Sequence, residues 1–165
     1  MYPSLLKVTL LAFTMAMGTS AYAAGDAEAG QAKAATCVAC HGVDGNSAVP
    51  TFPKLAGLGH KYLLKQMQDI RDGRRPVALM AGQVDNMTDQ DLSDIAAFYD
   101  SQSRTGGMAD PDKVALGRKV YLAGIAERQV PACSGCHSPT GNGNGPAGYP
   151  ALGGQHADYI AAQLR

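Results

Sequence analysis

Apolar side chains recur along this chain at helical spacing. Between Lys61 and Asp72 they fall at Leu63, Leu64, Met67 and Ile70, one face of a helix, and Gly73 follows as a stop signal. After Thr88 they fall at Leu92, Ile95, Ala96 and Tyr99. Thr88-Asp89-Gln90-Asp91, just ahead of that stretch, reads as a capping box with Asp in place of the usual Glu. Asp26 is placed to cap an earlier helix running into Cys37, with Glu28 in its first turn. Asp110-Pro111 offers a cap with proline at the first helical position of a later one. No stretch shows the strict alternation of a half-buried strand. The pattern predicts an all-α fold with generous loops.

The first apolar run is of another kind. Lys7 precedes Val8 to Met17, which only Thr9 and Thr14 interrupt, and Ala21-Tyr22-Ala23 follows as an A-x-A cleavage site. Residues 1–23 therefore read as an export signal, and the run is too short for a membrane span. Of the 165 residues, 142 follow position 23, and no later segment is apolar enough to cross a bilayer.

Past the signal, the chain repeats itself. Gly30-Gln31-Ala32-Lys33 leads into Cys37, as Gly117-Arg118-Lys119-Val120 leads into Cys133. A glycine-rich loop follows in each copy. Phe52-Pro53-Lys54-Leu55-Ala56-Gly57 then matches Tyr149-Pro150-Ala151-Leu152-Gly153-Gly154, and Tyr62-Leu63-Leu64-Lys65-Gln66-Met67 matches Tyr159-Ile160-Ala161-Ala162-Gln163-Leu164. The offset is 96 residues at the pentad and 97 after the loop, so the second loop carries one inserted residue. Repetition at that period predicts two tandem domains: residues 24–100, a Ser- and Gly-rich linker over 101–110, and residues 111–165.

Each copy contains one pentad: Cys37-Val38-Ala39-Cys40-His41 and Cys133-Ser134-Gly135-Cys136-His137. Both read C-x-x-C-H, the attachment signature of c-type haem. Two cysteines three positions apart can each form a thioether to one vinyl group of a porphyrin, and the adjacent histidine can ligate the iron. The pentads use all four cysteines of the chain. Disulfides, one shared zinc or a thioredoxin-like redox motif would also use paired cysteines. None of these accounts for a histidine directly after both pairs. The expected cofactors are two covalently bound haem c groups, held by Cys37, Cys40, Cys133 and Cys136.

Composition and charge fit that reading. Aromatic residues are 6% of the chain, with no Trp, so the protein alone builds a small core and a porphyrin supplies apolar volume. Fourteen basic residues balance fourteen acidic ones, with no concentrated basic stripe, which excludes a nucleic-acid partner.

Function then turns on the face of each haem opposite its histidine. Histidine or methionine there makes an electron carrier, whereas an open site allows ligand chemistry. In the first copy, Met67 lies on the apolar helix face and Met87 at the residue before the Thr88 cap, so both read as packing. His60 reads as a solvated helix-start residue and Met108 as surface. Met80 lies in Val77-Ala78-Leu79-Met80-Ala81-Gly82, between the two later helices, where a thioether can reach across the ring. It is the expected sixth ligand, and such a soft ligand favours ferrous iron.

Together with the pentads, these motifs and Asp89-Gln90-Asp91-Leu92-Ser93-Asp94-Ile95-Ala96-Ala97-Phe98-Tyr99 resemble the dihaem cytochrome c4 family, from about Asp26 to the last residue. The resemblance implies two cytochrome c-like domains related by pseudo-twofold symmetry, His/Met-ligated haems and electron transfer in the periplasm. It makes His41 and Met80 the axial pair of the first haem and His137 the proximal ligand of the second. It implies that Pro53 and Pro150 accept hydrogen bonds from these histidines through their carbonyls. It also implies redox protein partners, a quinol-oxidising complex as donor and a terminal oxidase as acceptor; some members associate loosely with the membrane. The 97-residue offset places the counterpart of Met80 past Arg165, so the second domain reads as incomplete, lacking its distal part. A haem enzyme, or an electron-accepting enzyme subunit with an open second haem, is the competing expectation.

Overall fold

A computed structural model describes residues 25–165, and the expected export signal over 1–23 lies outside the described residues. Helix α1 (Ala27–Lys33) starts on Asp26, whose carboxylate accepts the backbone N–H groups of Glu28 and Ala29. It does not run unbroken into Cys37. A 3₁₀ turn over Ala34–Thr36 tightens the chain before the short helix α2 (Val38–His41), which carries the rest of the first pentad. Helix α3 (His60–Arg71) follows the long loop, and Gly73, with positive φ, comes just after its end.

Helix α4 (Asp89–Asp100) begins with the predicted capping box: the Thr88 hydroxyl accepts from the Asp91 N–H, and the Asp91 carboxylate accepts from the Thr88 N–H. In the second half, α5 (Pro111–Ala123) is capped by Asp110 with proline at its start, and α6 (Ser134–His137) carries the second pentad. Helix α7 (Ala157–Gln163) comes last. Among the described residues there is no strand, only two isolated bridges, Ile125 with Val130 and Asn144 with Tyr149. The fold is all-α. No described helix is long and apolar enough to cross a membrane.

The core sits where α1, α3 and α4 meet. Ala34, Leu58, Leu63, Ile95, Ala96, Phe98 and Tyr99 form one buried cluster. Helix α1 crosses α4 so closely that a Cβ on Gly30 would lie 2.0 Å from the Asp94 carbonyl oxygen. Lys33 at the far end of α1 pairs with Asp91 at 2.7 Å and Asp94 at 2.6 Å. Asp94 also accepts the Asp26 N–H at 2.9 Å. His60 is not simply a solvated terminal residue. Its Nε2 lies 3.1 Å from both the carbonyl and the hydroxyl of Ser93, which ties the start of α3 to α4.

The second half is more open. Val114, Leu116 and Leu122 of α5 are exposed, and none of the residues of α5, α6 or α7 is buried. The two halves meet through polar contacts made by the 46–54 loop, Arg75, the segment 103–105 and the residues around α7.

Candidate haem sites

A histidine can serve a metal through one ring nitrogen only if the other is occupied by something that fixes its tautomer. At both pentads the chain provides this in the same way. His41 Nδ1 lies 2.9 Å from the carbonyl oxygen of Pro53, and His137 Nδ1 lies 2.8 Å from that of Pro150. Carbonyl oxygens only accept, so each Nδ1 carries the proton and each Nε2 keeps its lone pair free. Proline suits the position because its fixed φ stiffens the strap that presents the carbonyl. An aromatic ring stands edge-on to each imidazole: Phe52 to His41 with centroids 6.3 Å apart, and Tyr149 to His137 at 5.8 Å, both with planes at 68°. His41 is buried, and desolvation pulls its pKa below the ordinary value against the opposing Pro53 hydrogen bond. Neutral imidazole is the form that binds iron.

The loops behind the pentads repeat as well. Gly45 O accepts the N–H groups of Leu55 and Ala56, and Gly141 O accepts those of Leu152 and Gly153. Both glycines have positive φ, and a Cβ on Gly45 would lie 2.7 Å from the Tyr99 ring. These bonds pin the strap carrying Pro53 or Pro150 at a fixed height beneath its histidine.

All four cysteines are free thiols, Cys37 and Cys133 half-buried, Cys40 and Cys136 exposed. Among the described residues no three His, Cys, Asp or Glu side chains converge as a metal site, so the two C-x-x-C pairs do not share one zinc. Burial pushes the Cys37 thiol up, and its neighbour is the hydroxyl of Tyr99. That hydroxyl is buried, has no nitrogen or oxygen partner, and its pKa is raised chiefly by desolvation. Unpaired buried hydroxyls are costly and rare in finished interiors. Free C-x-x-C thiols, a neutral histidine with an open Nε2 and an orphaned hydroxyl beside the first cysteine fit a covalently attached porphyrin. When bound, the haem supplies a reversible one-electron change at iron.

Met80 ends a 3₁₀ turn over Ala78–Met80 in the connection between α3 and α4 and is half-buried. Leu79 beside it is 64% exposed, so the turn presents apolar side chains outside the core. Met67 and Met87 pack against the core cluster instead, and Met108 is fully exposed. His156 is committed elsewhere: its Nε2 lies 3.0 Å from both the carbonyl and the hydroxyl of Ser47. Sequence reasoning missed Gln155, whose carboxamide bonds the backbone of Lys54 on the strap beneath His41. The repeat held a signal for it. The residue 97 positions earlier is Leu58, so a polar side chain stands where the first copy has an apolar one.

Two pentads on a helical chain, each with its histidine locked to a proline carbonyl, define a c-type cytochrome with two haem sites. Residues 27–103 match the cytochrome c family. Cytochrome c4 of Pseudomonas aeruginosa is 58% identical over 96% of this chain and 79% of that protein. Cytochrome c4 of Azotobacter vinelandii is 56% identical over 95% and 79%. The crystal structure of reduced recombinant cytochrome c4 from Pseudomonas stutzeri superposes with a TM-score of 0.83 at 55% identity, covering 86% of this chain and 79% of that one. The chain belongs to the cytochrome c4 family. It is an electron carrier, not an enzyme, it binds haem c, and its two pentads fit two haems.

Proposed function

We propose that the chain is a periplasmic dihaem carrier in which Cys37 and Cys40 hold the first haem and Cys133 and Cys136 the second. His41 and Met80 are the axial pair of the first iron, and His137 is the proximal ligand of the second. The observation that carries this reading is the twin His–Pro contact, made at 2.9 and 2.8 Å in two copies of one motif. It leaves one imidazole nitrogen available on each side of the repeat. Residues 1–23 act as the export signal that delivers the chain to the compartment where haem is attached. Residues 24–100 and 111–165 form the two haem-bearing units, joined by 101–110. Electrons arrive from a quinol-oxidising complex and leave to a terminal oxidase, as the family resemblance suggests. With Met80 as a thioether ligand the first iron favours its ferrous state.

The test is Met80→Ala in the haem-loaded protein. The weak ferric absorption band from thioether-to-iron charge transfer disappears for the first haem, and its potential falls. An unchanged band and potential overturn the assignment.

A further inference from the structure

The peptide group between Pro53 and Lys54 is bonded at both ends, to opposite halves of the molecule. Its carbonyl accepts the Nδ1 proton of His41 at 2.9 Å. Its N–H donates to Oε1 of Gln155 at 2.9 Å. Gln155 Nε2 in turn donates to the carbonyl of Lys54 at 2.8 Å, so the carboxamide pairs with both backbone groups of Lys54. The amide orientation is unambiguous, because a backbone N–H can face only the oxygen and a carbonyl only the nitrogen. Gln155 Oε1 also accepts the N–H of His156 at 3.0 Å. The His156 ring reaches back to Ser47, whose hydroxyl donates to the Phe52 carbonyl at 2.6 Å. Two adjacent residues of the second half thus grip the strap from both sides of Pro53.

We propose that Gln155 is a positioning residue for the first haem, acting through the Pro53–Lys54 peptide on the hydrogen bond donated by His41. An amide whose N–H is bonded carries more negative charge on its oxygen and accepts more strongly. A stronger acceptor at Pro53 draws the Nδ1 proton of His41 and makes the imidazole a better donor to iron. Better donation favours ferric iron and lowers the potential. Docking of the second half therefore holds the first haem at a lower potential than the first half alone would set. The effect runs one way. Leu58, the counterpart of Gln155 in the first half, has no hydrogen-bonding group to offer the second strap. The inference rests on His41 being the proximal ligand of the first iron.

The experiment compares Gln155→Leu and Gln155→Glu with the native, doubly haem-loaded full chain. Two quantities are read: the potential of each haem, and the NMR resonance of the His41 ring N–H in the ferrous, diamagnetic protein. In Gln155→Leu the His41 N–H resonance moves upfield and the first potential rises, while the second potential stays in place. A change of ~10–30% in one hydrogen bond corresponds to about a threefold shift in the ferrous-to-ferric ratio at fixed potential, or about 28 mV at 59 mV per tenfold. Gln155→Glu as a carboxylate would set an oxygen against the Lys54 carbonyl, so it is read at a pH low enough to protonate it. There the acid O–H donates to that carbonyl, the other oxygen accepts the Lys54 N–H and the His41 resonance is restored. A His41 N–H resonance that does not move in Gln155→Leu, or that Glu fails to restore, overturns the proposal. Absence of any protected ring N–H on His41 in the native protein would instead sink the ligand assignment itself.

Discussion

Tyr99 shows how much one side chain can say about what the chain is built around. Its ring is fully buried, packed 4.9 Å from that of Phe98, yet its hydroxyl has no nitrogen or oxygen partner and faces the Cys37 thiol. The ring therefore carries the stability and the hydroxyl adds little. Tyr99→Phe is expected to cost the loaded protein no more than about 1.5 kcal/mol, the net worth of the single hydrogen bond that the haem would supply to the hydroxyl. Tyr99→Ala should cost about 3–5 kcal/mol, since it opens a cavity in the core. Chemical denaturation followed by far-UV circular dichroism separates the two. Histidines divide in the same way. Sequence alone singled out His41 and His137, because the pentad places each directly after a pair of cysteines. It missed the contact of His60, because its partner Ser93 lies 33 residues away on another helix. Local pattern reports what a residue follows and not what it will meet.

At the scale of elements, legibility tracked how local the cause was. The Thr88 capping box and the Asp26 and Asp110 caps were readable because donor and acceptor lie within three residues of one another. The 3₁₀ turn over Ala34–Thr36 was not, since Ala-Ala-Thr favours no particular turn type and the close packing of α1 on α4 decides where the helix tightens. That packing depends on a glycine. Gly30 lets the α1 backbone approach the Asp94 carbonyl to a distance no side chain tolerates. Gly30→Ala is expected to cost about 3 kcal/mol through overpacking. The urea midpoint of the variant checks it.

The whole molecule is held by charges as well as by its core, and this sets its response to acid. Asp91 lies far below the ordinary carboxylate range, first because of its hydrogen bond from Lys33 and then because of Thr88. Asp94 is lowered first by the Asp26 N–H and then by Lys33, and Asp69 by Lys65 and then Arg74. A carboxylate with a depressed folded pKa stabilises the fold above its unfolded value, near pH 4, and loses that contribution as pH falls through the folded value. Thermal melting should therefore be flat in these groups from about pH 5 to 8 and fall steeply below about pH 4. A melting temperature unchanged down to pH 2 would contradict it. The larger organisation, two haem-bearing halves, was legible from the repeat. The contact between them was not, because Gln155 and Lys54 are 101 residues apart and nothing local marks either as a partner.

The segment between the halves has a consequence of its own. Arg104 donates to the Gly153 carbonyl at 2.7 Å and to the carbonyls of Ala56 and Gly57 at 3.0 and 3.1 Å, one side chain spanning both straps. Lys54 Nζ and Asn46 hold Thr105 beside it. Two redox centres on a loose tether would trade electrons only when diffusion brought them together. Haems held at the two pentads would then keep a constant separation, and exchange between them would not wait for the halves to meet. The thickness of the surrounding solvent, which slows every encounter with a partner, does not enter its rate.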